Sequence, residues 1–599
     1  MSRAKCIFAV LMLAVIVGIV PVARATTAIQ VTIAGSSAMW QTLALGAYNY
    51  ACPTLPCATV GGIQGGHWTS ASNVVNLTDT RVSPNNVDAG TIWIVWSPGA
   101  KKVWSFLKVD SVVGDRCYFA QPQCTVSAPA ANLTGSGSSQ ISSVLWGADS
   151  ALPSVVSSIY STGTPVTVAA TDIRPEDAQF AACRVNSALG GGTKGGASSD
   201  GLDGLGYNGV NASGACPANG LGAGSGAYVG TPIKSGYPGS TAAANVLAFN
   251  IKGVDPITGT SIPAFSVVSV GAAPIVFVDE RNTQLKSLTN ATDVQLQQVF
   301  SGKNCDAGAF GLTAGGINAF LREPLSGTMN TTEATVFRKP TVYSGAIFGI
   351  SQETGVGLNN PLAGQTGTCT SSDGKGARYR GIGTGEVVKS VLNSATKFPN
   401  GLDGITYAFF SYGNVSSIAN QSAYGYITLN GVDGIFAHYA SGDPGQPGNG
   451  TLPAAANLPA SCGAAFPCPE NKIWTGGLSF PNVRNGTYPA WSVLRLVSNG
   501  TPLTYATSLI THSQQFVITS VPDYIPAKKT TAGGITDPGL LYLRSHYQQY
   551  DGAGTFIGAA PNNKGTSEAG GDMGGCILPT SKLTTQDVNA DFPACKTRP

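Results

Sequence analysis

Three times in this chain a polar turn opens a stretch with helical spacing, and that pattern constrains the fold more than any other feature. "IQVTIAG" at 29–35 alternates as a strand does, and "SSAMWQTLALGAYNYA" then places apolar residues at helical spacing behind a serine suited to the N-cap. "VTVAATDIRPEDAQFAA" at 166–182 repeats the order strand, turn, helix, with Pro175, Glu176 and Asp177 suited to a first helical turn. "FLREPLSGTMNTTEATVFR" at 320–338 sets Arg322 four residues before Ser326-Gly327-Thr328, at the head of a third helical run. Strands alternating with helices predict α/β architecture with partly parallel sheets. In such sheets ligands bind beyond the carboxyl ends of strands, where helix N-termini collect.

Other segments fill in the plan. "GTIWIVWSP" and "KVWSFLKVDSVVGDRCYFA", within 86–125, read as antiparallel strands rich in aromatic and β-branched residues. "APIVFVDE" at 273–280 reads as a buried strand and "TNATDVQLQQVFSG" at 289–302 as a short amphipathic helix. "GITYAFFSYGNV", "AYGYITLNGVDGI" and "YPAWSVLRLV" are strand-like, and "YATSLITHSQQFVITS" is helical. Residues 184–240 are Gly-, Ser- and Ala-rich and read as a long loop, and 536–599 as a weakly patterned tail.

The first 25 residues read as an export signal: Arg3 and Lys5, an apolar run of 14 that is short for a membrane span, then "ARA". Cleavage there removes Arg3, Lys5 and Arg24 and takes the net charge from +3 to zero. With charged residues at 11 %, such a chain has no electrostatic footprint for nucleic acid or an anionic membrane. The expected location is periplasmic or secreted, without stable membrane insertion after cleavage. Of 13 cysteines, Cys6 lies in the signal, and the even remainder reads as disulfides. Cys52/Cys57, Cys117/Cys124 and Cys462/Cys468 lie close together, and sequential pairing adds Cys183/Cys216, Cys305/Cys369 and Cys576/Cys595. With no C-x-x-C and four scattered histidines, zinc is not indicated, and no cofactor is expected.

At three helix starts, Gly35-Ser36-Ser37, Thr171-Asp172 and Ser326-Gly327-Thr328, unpaired N–H groups and hydroxyls favour an anion, and Arg322 offers a planar two-point grip. The same residues also serve as ordinary helix caps. "IAGSSAMW", "AATDIRPED", "LTNATDVQLQQVFSGK", "REPLSGT", "YPAWSVLRLV" and "DYIPAK" occur in the order found in the phosphate-binding proteins of phosphate ABC transporters, and the chain resembles that family, within the type 2 periplasmic binding fold. The resemblance implies a two-domain α/β protein, and the β-rich segment near 86–125 and the Gly-rich one near 184–240 stand as insertions relative to it. It implies a first domain over 26–272 and 428–535, a second over 273–427, and a C-terminal extension at 536–599. Strand 273–280 is the expected first crossing between domains and the region near 427 the second. The resemblance further implies that Ser37, the Ala38 backbone, Asp172, Arg322, Ser326, Gly327 and Thr328 hold phosphate or a similar oxyanion, with Asp172 accepting the proton of hydrogen phosphate. It implies an ABC permease as partner and no catalysis. One family element has no match: a second serine turn between the first helix and the Asp172 turn, since "GGIQGGHWTSAS" at 61–72 is not that motif. Two other classes stay open. One is a hydrolase with a dispersed triad, although G-x-S-x-G, H-E-x-x-H and Walker A patterns are absent. The other is a secreted structural or surface-interaction protein reusing the fold.

Overall fold

A computed structural model describes residues 27–81, 85–141, 147–175, 178–179, 249–300, 302, 304–322, 325–337, 376–381, 383–398, 400–409, 424–434, 488–519, 524–525, 542–543, 549–550 and 556–558. The expected signal, the 184–240 loop and most of the C-terminal extension lie outside them. So do Cys183, Cys216, Cys369, Cys462, Cys468, Cys576 and Cys595.

The strands that position the site are β1 (Ala28–Ser36), β2 (Gly66–Thr69), β3 (Val75–Thr78), β4 (Asn86–Trp96), β5 (Lys102–Val109) and β6 (Val168–Thr171), followed by β7 (Ser266–Glu280), β8 (Asn318–Arg322), β9 (Arg378–Gly381), β10 (Gly404–Phe409), β11 (Tyr424–Leu429) and β12 (Trp491–Ser498). The helices are α1 (Trp40–Ala51), α2 (Ser111–Phe119), α3 (Asp293–Phe300), α4 (Gly327–Thr332), α5 (Gly383–Val391) and α6 (Gly500–Thr519).

In the first lobe β4 pairs antiparallel with β5, β5 runs parallel to β1, and β1 runs parallel to β6. Antiparallel β12 then lies between β6 and the first half of β7. Both faces of this sheet are covered, so its strands carry apolar residues on both sides. The period of two sorts them: Trp93 and Val95 pack with Trp40 and Leu43 of α1, while Ile92, Ile94 and Trp96 pack with Val113 and Tyr118 of α2. The sheet is α/β in class, as the patterning predicts, and β4 and β5 belong to it directly.

The strand reading fails at 111–119. Val112 and Val113 favour β structure, but the chain turns at Asp110 and forms α2, every residue of which is buried. Gly114 explains how the helix gets so close: a Cβ there would lie 2.4 Å from the Ala34 carbonyl oxygen. The Cys117–Cys124 disulfide (Cα–Cα 4.8 Å) ties down its far end, and Cys52–Cys57 (Cα–Cα 5.1 Å) does the same after α1, both inside the usual range. Cys305 is also disulfide-bonded.

The second half of β7 enters another sheet, pairing antiparallel with β10 and β11. β8 runs parallel to both β10 and β9. The change of partner falls between Pro274, opposite Trp491, and Ile275, opposite Phe409. One strand thus threads both sheets. β11, around residue 427, lies inside the second sheet, so the chain returns to the first only between 430 and 490. Phe277, Phe300, Phe337 and Tyr407 fill the second lobe, with ring centroids 5.2–6.3 Å apart.

Away from the lobe boundary lies a buried ion network. Asp79 holds Arg81 and Arg116, each at 2.6 Å, and Arg81 also pairs with Asp255. Burial alone would raise the Asp79 carboxyl, but its bonds to Arg81 and the charges of both arginines bring it below its ordinary range. Burial lowers Arg116 to about 10. Among the described residues no helix is long and apolar enough to cross a membrane, and no cluster of three or more His, Cys, Asp or Glu could hold a metal.

Candidate functional site

The loops at the carboxyl ends of β1, β5, β6 and β8 meet at the boundary between the lobes. Near the end of β1, a Cβ at Gly35 would lie 2.0 Å from the Ala170 carbonyl oxygen of β6, so only glycine lets the two strand ends converge. Ser36 then caps a short 3₁₀ turn, its Oγ accepting from the Ala38 N–H at 3.2 Å. Asp172 follows the end of β6. Asp110 follows the end of β5 and is the N-cap of α2, which opens at Ser111. From the second lobe, β8 ends at Arg322, and Ser326 caps α4, accepting from the Met329 N–H at 3.3 Å.

These turns line one buried cavity: Ser37, Ala38, Asp172, Arg322, Ser326, Gly327 and Thr328 share it with Ser36, Val109, Asp110, Ser111 and Phe409. All seven residues singled out in the sequence are brought together. Arg322, only 3 % exposed, faces inward rather than solvent. Its Nη1 donates to Thr384 Oγ1 at 3.0 Å and to Thr328 Oγ1 at 3.4 Å, and its Nη2 donates to Asp110 Oδ1 at 3.4 Å. The bonds at 3.4 Å are long, and long bonds are readily exchanged.

Asp110 and Ser111 were missed in the sequence. They occupy the place where a second serine turn was sought, but 40 residues further on than 61–72 suggested. The usable signal was an Asp-Ser pair at the end of an alternating run, the ordinary mark of a helix start. The Ser111 hydroxyl donates to Asp172 Oδ1. Burial raises the Asp172 carboxyl to about 6, against the opposing effects of the Ser36 hydroxyl and the positive charges of Arg322 and Arg495.

The two lobes touch here. The Val112 N–H donates to the Leu325 carbonyl at 3.3 Å, and Gly327 is pressed so closely on the first lobe that a Cβ would lie 2.5 Å from Asp172 and 2.6 Å from Ser111 Oγ. The cavity volume is about 10 Å³, at the lower limit for one ordered water.

Asp279 of β7, like Asp172, is raised by burial to about 6, the Arg281 charge opposing. Both carboxyls bind protons more tightly folded than unfolded, so they favour the folded state at low pH and that gain is lost as pH rises from about 4 to about 6. Each contributes about 3 kcal/mol by this linkage. Calorimetry of the ligand-free protein is therefore expected to give a higher melting temperature at pH 5 than at pH 7.5; an equal or lower value at pH 5 would contradict the two assignments.

No protein-family model matches the chain, and no curated protein matches it. Solved structures give likenesses. One is a candidate phosphate ABC transporter substrate-binding protein from Clostridium perfringens with bound phosphate, at 16 % identity and TM-score 0.23, covering 41 % of this chain and 65 % of that one. This chain therefore spans just under two thirds of that protein's length. Another is PstS from Borrelia burgdorferi, at 13 % identity and TM-score 0.22, covering 42 % of this chain and 68 % of that one. A third is a phosphate-binding protein from Stenotrophomonas maltophilia, at 12 % identity and TM-score 0.29, covering 87 % of this chain and 92 % of that one. At these identities and TM-scores they stand as likenesses only, and what the chain binds has to be read from its own residues.

Proposed function

We propose that this is an exported solute-binding protein that holds phosphate or a similar tetrahedral oxyanion between its two lobes, for uptake through an ABC permease or for sensing. One observation carries the reading: an inward-facing arginine, several hydroxyls and carboxylates, on turns from both lobes, line one small cavity. Arg322 supplies the positive charge and a planar pair of N–H donors. Ser37, Ser326 and Thr328 supply hydroxyls, each such bond to a charged ligand contributing about 1.5–3 kcal/mol. Asp172 discriminates. It accepts a hydrogen from a protonated oxyanion and repels one that has none, and a buried site built on such a bond rejects the wrong ligand by up to about 10⁴–10⁵.

The cavity of about 10 Å³ is too small for the anion as it stands. Uptake requires the lobes to part by a small hinge motion and close again around the ligand. The long Arg322 bonds and the narrow contact at Gly327 are suited to that exchange.

The test is calorimetric titration of phosphate-stripped protein with phosphate, arsenate and sulfate. Phosphate and arsenate are expected to saturate one site, with sulfate at least about 100-fold weaker. No heat from any of the three, in protein shown to be folded, would sink the reading and leave the structural or surface-interaction alternative. Gly327→Ala is a second check. Its methyl would strike Asp172 and Ser111, so the lobes cannot close fully, and phosphate affinity is expected to drop at least about tenfold with little change in melting temperature. Unchanged affinity would show that the closed contact is not part of binding.

A further inference from the structure

For an anion pocket, this one is rich in acid. Asp110 and Asp172 both line it, and Arg322 is the one cation among its lining residues. Asp110 stands at the N-cap of α2, where an aspartate ordinarily accepts from the helix N–H groups. It makes no side-chain cap bond there. Its carboxylate instead reaches across the lobe boundary to Arg322 Nη2 at 3.4 Å. Among the described residues, the charge of Arg495 acts on Asp172 from β12, and the Lys108 ammonium lies over the Trp40 ring at 4.4 Å from its centroid. Tyr407 presents its hydroxyl to the Arg322 backbone N–H at 3.3 Å.

An oxyanion seated on Arg322 must set its other oxygens against two carboxylates. Oxygen facing carboxylate oxygen is repulsive unless a hydrogen lies between them. Two carboxylates therefore call for two hydrogens. The dihydrogen form of phosphate brings both, hydrogen phosphate brings one and must gain another from solvent, and sulfate brings none. We propose that Asp110, acting with Asp172, makes this a site for the singly charged, dihydrogen form of a tetrahedral oxyanion, and that Asp110 is the residue that sets this preference. The proposal rests on the oxyanion reading above and names the protonation state that reading leaves open.

The experiment is a titration of the full chain with inorganic phosphate at pH 5.5, 6.5, 7.5 and 8.5, for the natural protein and for Asp110→Asn. Above the second ionisation of phosphate the natural protein is expected to lose affinity about tenfold per pH unit, and Asp110→Asn to lose that slope. A carboxamide donates a hydrogen to the anion where the carboxylate demanded one. Repeating the natural protein's titration at pH 8.5 in two buffers of different ionisation enthalpy is expected to show uptake of about one proton per phosphate, a readout that does not depend on the variant folding. Affinity that is level or rises with pH, a slope that survives Asp110→Asn, or no proton uptake would overturn the assignment of Asp110 while leaving the oxyanion reading intact. Absence of phosphate binding at every pH would overturn both.

Discussion

In Arg322→Ala, phosphate affinity is expected to fall by between about 30-fold and several thousand-fold, the 2–5 kcal/mol typical of removing one partner from a buried charged contact. Two effects add. The anion loses its two-point donor, and Asp110 and Asp172 are left facing it without the guanidinium whose charge offsets theirs. Arg322→Lys keeps the charge but not the planar fork, so it is expected to recover only part of the loss. Titration calorimetry at fixed pH separates the three proteins. Natural affinity in Arg322→Ala would show that the anion sits elsewhere.

The largest effect on stability is expected from Asp79→Ala. Asp79 is fully buried and bonds two arginines that are buried with it. Breaking such a network from one side costs about 3–5 kcal/mol, because a desolvated charge is left without its partner. Asp255 still holds Arg81, so the cost falls mainly on Arg116 and places the expected loss near the lower end. Denaturant unfolding measures it, and a loss under about 1 kcal/mol would show that the network relaxes. The double replacement Asp79→Leu with Arg116→Met is expected to recover much of the loss, since a well-packed apolar pair often equals a buried ion pair.

Legibility followed the range of the physics. Local signals were strong where period and cap agreed. β1 with its Ser36 cap, the alternating 92–96 run and most of the Gly500–Thr519 helix, read as 505–520, followed from spacing. The seven candidate residues line one pocket; the succession of strand, turn and helix start located their turns at strand ends, and the family resemblance named the individual residues. Residues 111–119 misled because Val112 and Val113 prefer β structure, while burial against β1 and β6 and a glycine at 114 decide in favour of helix. That one error hid Asp110 and Ser111, and with them half of the pocket's acid. The Asp79–Arg81–Arg116–Asp255 network had no sequence signature, since Arg81 and Asp255 lie 174 residues apart. Pairing at that distance is a product of tertiary packing.

The threading of β12 between β6 and β7 has a consequence for how the chain is made. Ser492 of β12 and Asp172 beside β6 touch across 320 residues of sequence. At ordinary rates of translation that interval takes roughly 15–60 s. Until residue 498 has been synthesised, the first sheet is split, and β6 and the leading half of β7 each expose a row of unpaired backbone groups. The nascent molecule is therefore a pair of open edges awaiting a late central strand. Such a chain gains from being kept unfolded until β12 has been made.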